Sequence, residues 1–142
     1  MATDLEQALQ ELCGQYDLVA MYVFGSRADE IAARVRGAQA EPSHPSSDVD
    51  VGVQPARGRR LDAQERVRLM QALEELFEAR RVDLVILPEA NAFLAADVVQ
   101  GELLATTDPD AESEAQLYYL RRAADLLPFL HEAWDECVGS TP

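Results

Sequence analysis

Three aspartates and one glycine–serine pair are the residues of this chain whose types and spacing suit chemistry. Asp48 and Asp50 stand two apart in Asp48-Val49-Asp50-Val51-Gly52-Val53. Asp83 interrupts the apolar run Val82-Asp83-Leu84-Val85-Ile86-Leu87, and Gly25-Ser26 closes the run from Leu18 to Phe24. Strand alternation sends Asp48, Asp50 and Gly52 to one face and Val49, Val51 and Val53 to the other. The two carboxylates then stand about 7 Å apart along the strand, and such like charges destabilise each other unless a cation lies between them. Gly52 is expected to keep that face uncrowded. A lone carboxylate inside an apolar strand requires a partner or a cation. A strand that ends in Gly-Ser and opens into a helix gathers free backbone N–H groups at one point, which suits an anion. Taken singly, each signal fits an ordinary solvated strand or turn.

The elements that must position these residues follow from periodicity. Leu5, Leu9 and Leu12 predict a first helix from about Thr3 to Cys13, capped by Thr3 or Asp4 and stopped at Gly14. Leu18 to Phe24, apolar on both faces, predicts a central buried strand. Arg27 to Val35 predicts a short helix, and Gly37 to Ser47 a Pro/Ser-rich loop that contains His44. Asp48 to Val53 is a second strand. Leu61 to Arg80 is a helix with an inner stripe of Val67, Met70, Leu73, Leu76 and Phe77. Arg81 to Leu87 is a third strand and Asn91 to Gln100 a short helix. Leu103 and Leu104 suggest an edge strand. A long helix from about Pro109 to Cys137, capped by Thr107 or Asp108, has an expected inner stripe of Leu117, Leu120, Ala124 and Leu127, with a kink or the start of a new turn at Pro128. The organisation expected is a single domain over 1–142, with a core of about 1–107 and a helical segment of about 108–142.

Composition narrows the function. The 142 residues are 48% apolar, enough for one real core, and the net charge is −14. That charge repels nucleic-acid phosphates and anionic membranes, so neither is expected as a partner; a basic protein or a metal-bridged anion is. All twelve basic residues are Arg. The lack of Lys excludes Schiff-base chemistry and a P-loop. Cys13, Cys137, His44 and His131 do not make a zinc spacing. The polar N-terminus and short apolar runs point to a cytoplasmic location.

In order, the chain reads helix, strand, Gly-Ser, helix, loop, Asp-x-Asp strand, helix, Asp strand, helices. This set resembles the nucleotidyltransferase superfamily of the DNA polymerase beta type, and by its length the minimal nucleotidyltransferase (MNT) antitoxins that accompany HEPN toxins. The residues that carry the resemblance are Gly25-Ser26-Arg27-Ala28, Ser47 to Val53, and Val82-Asp83-Leu84. It implies an α/β palm, a small mixed sheet packed with helices. It implies two Mg²⁺ ions held by Asp48 and Asp50, with Asp83 completing the site, and ATP as substrate. Gly25, Ser26 and Arg27 would bind the nucleotide phosphates, helped by one of Arg57, Arg59 or Arg60. The activity implied is AMP transfer from ATP to a tyrosine hydroxyl of a HEPN ribonuclease, and homo- or hetero-oligomers are compatible with it. Two alternatives accompany it: a non-catalytic antitoxin that binds its toxin, and an aminoglycoside-type nucleotidyltransferase. This chain departs from the family in two respects. Twenty-one residues separate Ser26 from Asp48, and Asp29 and Glu30 follow the Gly-Ser turn, where they are expected to oppose a triphosphate.

Overall fold

The structure is a computed structural model that describes residues 3–38 and 47–137, with the side chains of 130–131 and 135–137 left aside. Most of the expected Gly37–Ser47 loop, with His44, lies outside the described residues. The elements run α1 (Asp4–Gln15), β1 (Leu18–Phe24), α2 (Ala28–Val35), β2 (Val49–Pro55), α3 (Ala63–Phe77), β3 (Val82–Ile86), a single 3₁₀ turn (Leu87–Glu89), α4 (Ala92–Val99), β4 (Glu102–Thr106) and α5 (Pro109–Cys137). The four strands form one mixed sheet in the order β3-β2-β1-β4. β2 and β3 are parallel, and both pairings of β1 are antiparallel.

Helices cover both faces, which is why β1 is apolar throughout. One face carries α1, α2 and α3. There Leu9, Cys13, Ile31, Leu69, Leu73 and Phe77 close over Met21, Val23 and the valines of β2. The other carries α4 and the first turns of α5, with Ala95, Val98, Val99 and Tyr119 over Ala20 and Tyr22. A bulge between Leu18 and Ala20 shifts the alternation of β1, so Leu18 and Met21 share a face although three residues apart. Among the described residues no helix is long and apolar enough to cross a membrane.

Caps explain several boundaries. The Thr3 hydroxyl accepts from the Glu6 amide, so α1 starts one residue later than expected. Asp62 and Glu65 form a reciprocal capping box at α3. Asp108, rather than Thr107, accepts from the Ala111 amide to start α5. Gly14 does not stop α1. The helix runs to Gln15, and Asp17 makes the left-handed turn with φ of 54°.

Two expected stripes need correction. In α3 the buried residues are Leu69, Leu73 and Phe77, and Val67 is 47% exposed. In α5 the buried positions are Glu112, Tyr119 and Ala123, whereas Leu117 and Leu127 are exposed. The reason is a polar anchor. The Tyr22 hydroxyl, at the sheet centre, donates to the Glu112 carboxylate at 2.5 Å, and the Tyr119 hydroxyl donates to Gln54 at 2.7 Å. Burial together with the Glu112 contact pushes the Tyr22 hydroxyl far above its ordinary pKa. Among the described residues every buried side-chain nitrogen and oxygen has a partner. Tyr22→Phe leaves the Glu112 carboxylate buried without its donor, so we expect a loss of about 1–3 kcal/mol in a urea titration. Glu112→Gln, which can still accept, is expected to lose less.

Candidate active site

Sheet register brings the acidic residues together. Phe24 of β1 pairs with Asp50 of β2, and Asp50 pairs with Asp83 of β3. In-register neighbours on adjacent strands lie about 5 Å apart and point to the same face. Asp48 precedes β2 on the same face as Asp50. The Gly-Ser turn leaves β1 one residue after Phe24, so it lands against Asp50. Gly25 has φ of +79°, and a Cβ there would collide with the Asp50 Oδ2. Ser26 is exposed, and α2, which starts two residues later, has no side-chain cap; the Ala28 amide is held by the Gly25 carbonyl at 3.2 Å.

The electrostatics are those of crowded like charges. Burial, then Asp83, then Asp48 raise the pKa of Asp50 above the ordinary carboxylate range. Asp48 and Asp83 are about half-exposed, with side chains 41% and 47% accessible. Three hard carboxylate oxygens sets on one face, one of them under charge strain, fit a divalent cation such as Mg²⁺ in donor chemistry. As the side chains stand, no three acidic, His or Cys residues among those described are gathered closely enough to clasp an ion.

One cation does reach the group, and the sequence reading missed it. Arg81 Nε lies 3.9 Å from Asp48 and 3.6 Å from Asp83. Its carbonyl accepts from the Val49 amide at 3.1 Å, which fixes it at the mouth of the β2–β3 pair. Alternation from Asp83 could have found it, because Arg81 is two residues earlier on that face. Arg57, Arg59 and Arg60 are at the wrong end. β2 carries the chain from Asp50 to Pro55, about 17 Å across the sheet, and Arg59 is engaged by Asp17 and Glu65. Replacing Arg81 with Gln removes a competing cation. We expect the Mg²⁺ concentration for half-maximal binding, read by calorimetry, to fall by at most about fivefold, the upper range for an exposed ion pair.

Arg27 has a different place from the one expected. Its guanidinium is buried, binds both carboxylate oxygens of Glu30 (3.1 and 2.8 Å), and donates to the Ser47 carbonyl at 3.3 Å. It ties the start of α2 to the residue before Asp48 instead of presenting its charge to solvent. The pair also removes the expected objection to Glu30, which is buried and neutralised. Asp29 is exposed and, with Asp97 and Glu102, lines a cleft of about 500 Å³ on the β4 side of Gly25. Gly52 does not leave open space, since a Cβ there would collide with Val98 of α4.

Comparisons with known proteins identify the family. The family profile "Polymerase beta, Nucleotidyltransferase" matches residues 7–110. No curated protein matches the chain. A crystal structure of a toxin–antitoxin with AMP-PNP is 25% identical with a TM-score of 0.69, and covers 94% of this chain and 98% of that chain. A complex of tri-AMPylated Shewanella oneidensis HEPN toxin with MNT antitoxin is 22% identical with a TM-score of 0.66, and covers 95% of this chain and 97% of that chain. A mutant of the toxin–antitoxin MntA-HpeT is 24% identical with a TM-score of 0.69 over 94% of this chain and 98% of that chain. The matched segment spans most of the chain and contains the Gly-Ser turn and all three aspartates, so this protein belongs to the polymerase beta nucleotidyltransferase family.

Proposed function

We propose that this protein is an MNT antitoxin that transfers AMP from ATP to a tyrosine hydroxyl of a HEPN ribonuclease toxin. One observation carries the reading: Gly25 lies directly against Asp50, and Asp50 is in register with Asp83. The Gly-Ser turn and the carboxylates therefore meet at one end of one sheet, which supports a phosphate cradle beside metal ligands. The AMP-PNP complex and the AMPylated toxin complex among its structural neighbours support ATP as donor and a HEPN protein as acceptor.

In this reading the hydroxyl oxygen attacks the α-phosphorus, a new O–P bond forms, the bond to the bridging oxygen of the β-phosphate breaks, and pyrophosphate leaves. Asp48, Asp50 and Asp83 would hold two Mg²⁺ ions, which supply charge stabilisation for the attacking and leaving oxygens. Gly25 lets the backbone approach the phosphates, and the N–H groups of Ser26 and the first turn of α2 bind them. Asp83, half-exposed at the sheet edge, is placed to accept the hydroxyl proton. Arg27 holds the turn and Asp48 in mutual position through Glu30 and Ser47. The carboxylates Asp29 and Asp97 disfavour phosphate in the cleft beyond Gly25, whereas on the Asp50 side bound cations would offset the carboxylates.

The test is isotopic. With toxin and Mg²⁺ present, label from the α-phosphate of ATP should appear on the toxin and label from the γ-phosphate should not. Label from the γ-position would make the protein a kinase. No label from either position would favour the second reading, a stoichiometric binder. The strongly acidic chain, at net charge −14, keeps that reading in play. Neutralisation that survives Asp48→Asn with Asp50→Asn would establish it.

A further inference from the structure

α5 continues well beyond its last buried position, Ala123. Its 29 residues extend about 43 Å at 1.5 Å per residue. The buried face of its first half carries Glu112, Tyr119 and Ala123. The same face continues past the sheet with Leu126 and Leu127, 38% and 44% exposed, and Trp134, 65% exposed. Leu120, Ala123, Leu127 and Trp134 follow one another at spacings of three, four and seven, the seam of a helix that pairs with another helix. Pro128 follows the seam residue Leu127 and points away from the seam; lacking an N–H, it leaves the Ala124 carbonyl without its helical donor and separates the docked half from the overhang. Where the overhang departs, a groove of about 490 Å³ opens between α4 and α5, lined by Phe93, Leu94, Ala123 and Leu127 among others.

Charge distinguishes the possible occupants. From Ala123 to the C-terminus the chain has Asp125, Glu132, Asp135 and Glu136, and no Arg or Lys. Two copies of the overhang, the part beyond Arg121 and Arg122, would set carboxylate against carboxylate, which is unfavourable in paired helices. An apolar helix flanked by Arg or Lys meets both the stripe and the charge.

We infer that the overhang of α5, with the α4–α5 groove, is the docking surface for a basic-flanked amphipathic helix of the protein acceptor. This rests on the reading that the acceptor is a protein, and it adds where on this chain that protein is held. The surface lies on the side of the sheet that carries the carboxylates, so it can hold the acceptor while the transfer end stays open. Docking here sets how well the acceptor is captured and leaves the chemical step unchanged.

The experiment uses the full-length protein, the purified HEPN toxin, and the variant Leu127→Asp/Trp134→Asp. Both positions are exposed, so the variant should keep the melting temperature of the parent. The toxin affinity should fall by at least about tenfold, as for hot-spot residues. The KM for toxin should rise by a similar factor, with kcat unchanged. The toxin should also bind the parent more weakly as salt is raised. An unchanged KM and affinity would overturn the inference and leave the proposed activity standing. A parent that is a dimer, dissociated by the variant, would also overturn it, because the seam would then join two copies. Loss of binding in the variant, with no transfer by parent or variant, would support the docking surface and count against the activity.

Discussion

Asp50→Asn is expected to lower AMP transfer by at least about a thousandfold while leaving the metal-free protein as stable as the parent or more so. The loss in rate follows from removing the central oxygen ligand: charge stabilisation worth several kcal/mol converts at about 1.4 kcal/mol per tenfold. The gain in stability follows from the same geometry. Burial and the two neighbouring aspartates raise the pKa of Asp50 in the folded state. A carboxylate whose folded pKa is raised favours the folded protein below its ordinary pKa, and that contribution is lost as pH rises through the raised value. At neutral pH the ionised Asp50 is therefore a cost that Asn does not carry. The melting temperatures of parent and variant should converge as pH falls below the ordinary carboxylate range. Mg²⁺ should raise the melting temperature of the parent at neutral pH and have little effect on the variant. A variant clearly less stable than the parent at pH 7 without metal would show that Asp50 is a structural residue.

Gly25→Ala is the second large effect, and it separates fold from function. The backbone there has φ of +79°, and an L-residue in that region costs about 1–2 kcal/mol. The added methyl also collides with the Asp50 Oδ2, the tip of a side chain that can swing aside. The protein should fold with that modest loss, yet Asp50 would be turned away from Asp83. A displacement of about 1 Å at a reacting centre costs on the order of a hundredfold in rate. Gly52→Ala provides the contrast. Its methyl meets the branched Val98 side chain, with no soft neighbour to yield, so overpacking of about 1–3 kcal/mol is expected in stability itself. Measuring kcat beside melting temperature for the two variants distinguishes the roles.

Much of the fold was legible because its elements are punctuated. The run from Leu18 to Phe24 is apolar on both faces, and a strand covered on both sides by helices requires that. Strand alternation placed Asp48 and Asp50 together, and only the register of β3 with β2 was needed to bring Asp83 beside them. The misreadings have common causes. Glu112 could not be read as an inner residue, because a buried carboxylate depends on Tyr22, ninety positions earlier in the chain. Leu117 and Leu127 looked like core residues for the converse reason: hydrophobicity marks a face to be covered and does not say by what. The arginines after β2 are adjacent to the acidic strand in sequence and a strand length away in space. Arg27 stood in the right motif, but its nearest carboxylate, Glu30, holds it inside the protein. Arg81 was readable from alternation alone.

The intact mass of the HEPN toxin after incubation with this protein, ATP and Mg²⁺ decides whether AMP is transferred. The toxin should gain whole AMP units located on tyrosine, a gain absent with Asp50→Asn and retained, at a higher toxin requirement, with Leu127→Asp/Trp134→Asp. An unmodified toxin in the presence of the parent protein, or a mass gain that persists in Asp50→Asn, would contradict the proposed mechanism.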